Sequence, residues 1–136
     1  MRILWAVSCR DYHLHEDDTA DIEGAGVNNF WVRSLPVDLE AKVLVRLALH
    51  EDEEGVIETH FLEPQMAGSQ SFDIDVRADP LPEHVAGFEV HMTQPIKFEF
   101  EATTEGTYSV ELYMPDGRHE SLFWVVRVGE SPWRDL

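Results

Sequence analysis

The chain has 136 residues, and 43% of them are hydrophobic, which suffices for one folded core and excludes a wholly disordered chain. Its 27 acidic and 10 basic residues give a formal net charge of −17. Such a surface repels phosphate backbones, so nucleic acid and anionic membranes are poor partners. Two explanations of the acidity stay open, namely a partner with a basic face and a high-salt habitat.

The single cysteine, Cys9, cannot form an internal disulfide, so the sequence requires no oxidising compartment. The apolar run 3–9 follows Arg2 and has a faint likeness to a secretion or lipidation signal. It is short for such a signal, and the charged Arg10 follows at once. No run approaches the ~20 apolar residues of a membrane helix. We therefore expect a cytoplasmic protein.

Alternation of apolar and polar side chains predicts a series of short strands. Residues 2–10 form the first, with Ile3, Trp5, Val7 and Cys9 facing inward. Residues 11–18 are polar enough to be the solvent end of a hairpin, and 19–23 return as its second strand. The later predicted strands include 42–50 and 56–62, paired as a second hairpin, then 72–77, 88–91 and 96–101.

The stretch 103–128 is the strongest structural signal in the chain. Two runs rich in β-branched and aromatic residues flank Pro115, Asp116 and Gly117, which suit a tight turn, so we predict a hairpin here. Tyr108 stands two residues after Gly106, where this strand begins. In immunoglobulin-like sandwiches, a tyrosine at such a corner folds its hydroxyl back onto the backbone.

No apolar period of 3.6 residues lasts three turns, and the best helical candidate is the single turn 37–41. The sequence therefore predicts an all-β fold, an antiparallel two-sheet β-sandwich of immunoglobulin-like architecture with about eight to nine strands. Residues 1–129 are expected to form one domain. Residues 130–136 form a C-terminal tail, which hangs free or packs against an edge through Trp133.

The densest group of candidate metal ligands is the hairpin tip, where His13, His15 and Asp17 alternate. On a strand they point to the same side, so two imidazoles and a carboxylate meet at one place. Such a set suits zinc or redox iron. A solvated hairpin end has the same pattern, and both interpretations stay open.

Other acids suggest calcium, because Asp73 and Asp75 share a strand face and the four acids at 51–54, with Asp116, lie in loops. Exposed alternating acids explain the same pattern without a ligand. The sequence has no nucleophile elbow, glycine-rich phosphate loop or Cys-x-x-Cys motif. We therefore assign no catalytic, cofactor-binding or metal residues and no cofactor, and consider an enzyme the less favoured class.

The aromatic residues are expected to lie mainly in the core, as for Trp5. Neighbours on a strand face opposite sides, so one member of the pair Phe30–Trp31 and one of Phe123–Trp124 must lie outside it. This partly exposed set indicates a surface that contacts something. Open strand edges point the same way.

The segment 21–27, reading Asp-Ile-Glu-Gly-Ala-Gly-Val after a charged hairpin, resembles the opening of a family of short, uncharacterised bacterial proteins. The Gly-x-Tyr motif at 106–108 and the closing run 124–128 are similar as well. The resemblance implies a single-domain β-sandwich and brings no catalytic residues, because the family has no established activity.

These observations favour a non-enzymatic binding or assembly module that acts through a sheet edge or an exposed aromatic face. Its partner would be an unidentified protein or a second copy of the chain. The alternative is a metal-binding protein or metal-dependent enzyme that uses the hairpin with His13 and His15.

Overall fold

The computed structural model describes residues 1–66, 68–78 and 87–132, and in this part of the chain it is built from strands with one short 3₁₀ turn. The elements are β1 (Arg2–Cys9), β2 (Asp11–Leu14), β3 (Ala20–Glu23), β4 (Asn29–Val32), β5 (Val37–His50), β6 (Glu54–Leu62), the 3₁₀ turn (Pro64–Met66), β7 (Ser69–Arg77), β8 (Glu89–Ala102), β9 (Gly106–Tyr113) and β10 (His119–Val128).

The strands form a three-stranded sheet β1-β5-β8, a five-stranded sheet β4-β10-β9-β6-β7 and a two-stranded sheet β2-β3. The prediction of an all-β fold with packed sheets is confirmed. The predicted count was too low, because ten strands in three sheets are found among the described residues. Nor is every pair antiparallel, since β4 runs parallel to β10.

The core lies between the two larger sheets. Strand β5 contributes Val43, Val45, Leu47 and Leu49, which are at most 1% exposed. Opposite them, the five-stranded sheet contributes a larger group of buried side chains. This group consists of Val32, Ile57, Phe61, Val76, Tyr108, Val110, Leu112, Trp124 and Val126.

Strand β5 corrects two sequence predictions. It pairs with β1 and β8, while β6 pairs with β7 and β9, so the predicted hairpin of 42–50 with 56–62 is wrong. The turn at 51–53 instead carries the chain from one sheet to the other. The predicted helical turn at 37–41 is also wrong, because pairing with β8 begins at Val37.

Strand β8 joins two segments that were predicted separately, 88–91 and 96–101. Pro95 lies inside this strand, opposite Leu44. A proline has no N–H to donate to a ladder and is therefore found mainly in edge strands. Among the described strands β8 has one neighbour, β5, and is such an edge. The edge character predicted for 88–91 is therefore confirmed.

The predicted hairpin of 103–128 is confirmed as β9 and β10, joined by a turn in which Gly117 has φ of 86°. The predicted corner is confirmed as well. The Tyr108 hydroxyl donates a hydrogen bond of 2.9 Å to the carbonyl of Thr104. The Tyr108 ring is only 1% exposed, so one side chain anchors both the corner and the core.

Strand β1 departs from strict alternation. Its register with β5 shifts between Ile3 and Trp5, so that Ala6 rather than Val7 packs against the main core. Trp5 is consequently 42% exposed, and the expectation that it is a core residue is wrong. Cys9 is buried as predicted, but on the face of β1 opposite to Ile3 and not in the main core. This burial raises the pKa of its thiol.

The polar segment after β1 forms its own hairpin, β2–β3. The prediction that 19–23 returns to pair with the first strand is therefore wrong. It lies across the outer face of the three-stranded sheet. There the Thr93 hydroxyl donates a 2.8 Å hydrogen bond to the Asp18 carbonyl, and the Arg46 guanidinium donates to the same oxygen. At the other end Lys42 Nζ lies 3.2 Å from Asp11 Oδ1. We call β2–β3 the covering hairpin.

Within the described residues no helix has the length and apolar character needed to cross a membrane. The cytoplasmic location stays a prediction. The predicted role of Trp133 in the tail falls outside the described residues.

Candidate functional site: the open face of the five-stranded sheet

The outer faces of the two larger sheets differ in what lies on them. The covering hairpin lies on the three-stranded sheet, whereas no described strand pairs or packs over the outer face of the five-stranded sheet. We call this second surface the open face. Alternation along each strand decides which side chains lie on the open face. They are the residues whose immediate neighbours on the same strand belong to the core.

An apolar strip occupies the β4–β10 side of the open face. Phe123 is 56% exposed and Trp31 36% exposed, with the half-buried Val125 between them along β10. Register places Trp31 beside Arg127, four positions from Phe123 and therefore roughly 13 Å away along the strand. We call Trp31, Phe123 and Val125 the aromatic strip.

These positions confirm the prediction about neighbouring aromatic residues. Trp124 is fully buried while Phe123 is exposed, and Phe30 packs against the core while Trp31 points away from it. The broader expectation that these rings lie mainly in the core is wrong for Phe123, which is the most exposed of the four.

A cation lies over one end of the aromatic strip. The Arg127 guanidinium carbon is 5.9 Å from the centre of the Trp31 ring, within range of a cation–π interaction. Trp31 also lines a shallow depression with Arg33, Gly129, Glu130 and Ser131. Two arginines, Arg127 and Arg33, therefore lie at the Trp31 end of the strip, although the protein as a whole is strongly acidic.

A polar cluster centred on Tyr113 occupies the middle of the open face. The His119 ring stacks on Tyr113 at 5.1 Å, and the His60 ring meets it edge-on at 5.3 Å. The Tyr113 hydroxyl donates a 2.6 Å hydrogen bond to Glu111 Oε2, and His60 Nε2 lies 2.9 Å from Glu58 Oε1. These contacts join five side chains from three neighbouring strands, β6, β9 and β10, on one surface.

Electrostatics in this cluster follow from its carboxylates. The hydrogen bond to Glu111, with the burial of the ring and the charges of Glu111 and Glu58, raises the pKa of Tyr113. The tyrosine is therefore held as a neutral donor. Beyond it, Glu58 lies beside Asp73 of β7. The open face is thus divided into an apolar side with arginines and an acidic side.

The predicted ligands of the hairpin tip are partly brought together. The rings of His13 and His15 are 4.9 Å apart, as expected for alternate residues of a strand. Asp17 does not join them, because its carboxylate accepts hydrogen bonds from Thr19, and Asp21 lies 3.0 Å from His15 Nε2 instead. No group of three or more His, Cys, Asp or Glu side chains among the described residues is arranged to hold a metal ion.

The acids considered for calcium are dispersed. Asp73 and Asp75 do share the outer face of β7, opposite Glu58 and Val56. Asp116 lies in the β9–β10 turn, where its carboxylate accepts a 3.0 Å hydrogen bond from the Arg118 amide. These residues therefore sit in separate elements.

The Tyr113 cluster was missed at the level of sequence. Its signal was present, since Glu111 and Tyr113 alternate with the core residues Val110 and Leu112. The lateral order of the strands was the missing information, because His60 was assigned to a hairpin with β5 and in fact lies beside β9.

Neither the family models nor the curated proteins compared with this chain give a match. The resemblance of 21–27 to the opening of a bacterial family stays a prediction.

Proposed function

We propose that the protein is a non-enzymatic binding module whose open face holds a protein partner with an apolar contact patch beside a basic surface. The observation that supports this most is Phe123, a large aromatic side chain 56% exposed within a continuous sheet. Large aromatic residues are costly to leave in water and are enriched at protein interfaces.

The chemistry of the partner is inferred from the two sides of the open face. The aromatic strip suits an apolar patch, and the acidic side formed by Glu58, Glu111 and Asp73 suits lysines and arginines. With a formal net charge of −17 on the chain, encounter with a basic protein is favoured over encounter with a second copy.

The test compares two matched substitutions. Phe123→Ser removes the most exposed ring of the aromatic strip, while Leu14→Ser removes an apolar side chain, 37% exposed, from the covering hairpin. Wild type and both variants are immobilised, and the proteins they retain from a lysate of the source cells are quantified. We expect wild type and Leu14→Ser to retain the same basic proteins, and Phe123→Ser to lose them.

Salt distinguishes the two kinds of partner. Binding of a basic partner weakens as salt rises, whereas an acidic homodimer tightens because its repulsion is screened. Light scattering of the pure protein across a salt series measures the second case. Identical retention by Phe123→Ser and wild type, or an oligomer that strengthens with salt and needs Phe123, would contradict the proposal.

A further inference from the structure

The four edges of the two larger sheets are not equally open. Strand β1 is partly occupied, because the Ser8 carbonyl accepts a hydrogen bond from the amide of Gly26. Strand β4 has only four residues, and β8 is interrupted by Pro95. Strand β7 has nine residues without proline, paired with β6 along its whole length. No described strand lies on its other side.

The backbone groups that β7 directs away from the sheet can be identified. The Ala78 amide donates to the Glu53 carbonyl, and the Glu63 amide donates to the Gly68 carbonyl, each at 3.0 Å. Even-numbered residues of this strand therefore bond to β6, because hydrogen-bonded pairs alternate in an antiparallel ladder. The amides and carbonyls of Asp73 and Asp75 accordingly point outward from the edge.

The side chains along β7 differ between its two faces. On the outer face Asp73 and Asp75 are exposed. On the inner face Phe72 is 37% exposed at the rim of the sandwich, where its ring lies 5.4 Å from that of Phe98 in β8. Ile74, next on this face, is half-buried. An added strand would therefore meet carboxylates on one side and an incompletely covered apolar rim on the other.

We propose that β7 accepts an extended segment of a partner protein as an additional strand, and that basic and apolar residues alternate in this segment. Backbone groups of Asp73 and Asp75 would supply the ladder hydrogen bonds, as in other cases of strand addition. Basic side chains pair with the two carboxylates, and apolar side chains cover Phe72. This edge shares Asp73 with the acidic side of the open face, but it lies three strands away from β10, which carries Phe123. The contact proposed here is made by backbone groups of the edge, so the inference goes beyond the proposed function.

The same edge discriminates against a second copy of the chain. Pairing β7 with its own copy would bring carboxylates close to carboxylates across the new ladder, and like charges in cross-strand contact are destabilising. The acidic edge thus resists self-association, as charged edges do in other sheets, while it stays open to a strand of opposite charge.

The experiment uses the full chain and a fluorescent peptide in which lysine and valine alternate, about as long as β7. The control peptide has the same composition in an order that places lysine and valine on both faces of a strand. We expect saturable binding of the alternating peptide by fluorescence anisotropy, at least several-fold tighter than the control and weaker in high salt.

Two charge variants locate the contact. Asp73→Asn with Asp75→Asn should weaken binding about three- to tenfold, since each exposed ion pair is worth a modest amount. The control, Glu99→Gln with Glu101→Gln, removes the same charge from β8, an edge of the three-stranded sheet. It should leave binding within about twofold of wild type. Phe123→Ser should also leave it unchanged, so that loss of the aromatic strip and loss of the edge are told apart.

Methylation of peptide nitrogens tests the ladder itself. In an antiparallel complex the lysine amides face β7, so methylating them abolishes binding, whereas in a parallel complex the valine amides have this role. Sensitivity of one set and tolerance of the other supports strand addition. Equal weakening by the two charge variants, or binding that survives both methylations, would show nonspecific attraction and overturn the proposal.

Discussion

The covered face and the open face begin from the same strand alternation and end in different environments. On the covered face, Leu44 points away from the main core and is nevertheless fully buried, and Ala48 is 2% exposed. On the open face, Phe123 in the equivalent outward position is 56% exposed. Among the described residues, outward apolar side chains are therefore buried on the three-stranded sheet and left exposed on the five-stranded sheet.

The difference arises from a short polar hairpin rather than from a third large sheet. Thr93 and Arg46 hold the Asp18 carbonyl at one end, and Lys42 pairs with Asp11 at the other. Half-buried Tyr12 and Ile22 supply the apolar side of the cover. No such cover lies on the described part of the open face, and its rings stay exposed, which is the basis of the binding role proposed above.

The largest expected effect separates the two faces directly. Leu44→Ala should lower the free energy of unfolding by about 2–5 kcal/mol, because it leaves a cavity beneath the covering hairpin. Phe123→Ala removes a larger side chain and should change the same quantity by less than about 0.5 kcal/mol. Urea denaturation measures both.

Equal costs for the two substitutions would break the comparison. A small cost for Leu44→Ala would mean that the covering hairpin leaves its side chain in water. A large cost for Phe123→Ala would mean that the ring is a structural element, and it would remove the main support for a binding role.

A smaller effect concerns how the covering hairpin is fixed. Thr93→Val keeps the shape of the side chain but removes its hydrogen bonds with the Asp18 carbonyl and Arg46, at a cost of about 1 kcal/mol. Thr107→Val on the open face is the control and should fall within about 0.5 kcal/mol of wild type. Hydrogen exchange at the His15 amide, which bonds to Thr19, should quicken in the first variant only.

The sequence predicted those features that depend on neighbours along the chain. The β9–β10 hairpin, the Tyr108 corner and the opposed faces of Phe123 and Trp124 all follow from local turn chemistry and alternation, and all are confirmed. Alternation also predicted a buried Cys9, but on the core face with Ile3, and the register shift places it on the other face of β1.

Features that depend on distant pairing could not be obtained in this way. Strand β5 was joined to β6 because the turn at 51–53 suits a hairpin, and nothing local shows that it links two sheets. The register shift before Trp5 and the hydrogen bond from Arg46 to the Asp18 carbonyl likewise depend on residues distant in sequence, so they could not be predicted from local patterns. The Tyr113 cluster was missed for the same reason.

Acid should loosen the covered face before it affects the open one. The Tyr12 amide and the Lys42 ammonium both hydrogen-bond to Asp11 and lower the pKa of its carboxylate. A lowered folded-state pKa gives stability that is present above the unfolded value of about 3.9 and is lost as the pH falls through the folded value. The protection of amides in β2 and β3 against exchange, relative to the unfolded chain at the same pH, should therefore fall below about pH 4.

Asp11→Asn is the control for this pH dependence. Its covering hairpin should already be looser near neutral pH, and the difference from wild type should disappear in acid, where both side chains are uncharged. A difference that stays constant across this pH range would show that the contact with Lys42 does not depend on charge.

The smallest expected effect concerns the outward side of the covering hairpin, where His13 and His15 face solvent. Because neither side chain packs beneath the hairpin, replacing both with alanine should change the free energy of unfolding by less than about 0.5 kcal/mol. Stoichiometric zinc should leave the melting temperature of wild type unchanged, since Asp17 is engaged by Thr19 and does not complete a ligand set. A rise of several degrees with zinc that the double variant lacks would instead identify this hairpin as a metal site, and the covered face would then be the functional one.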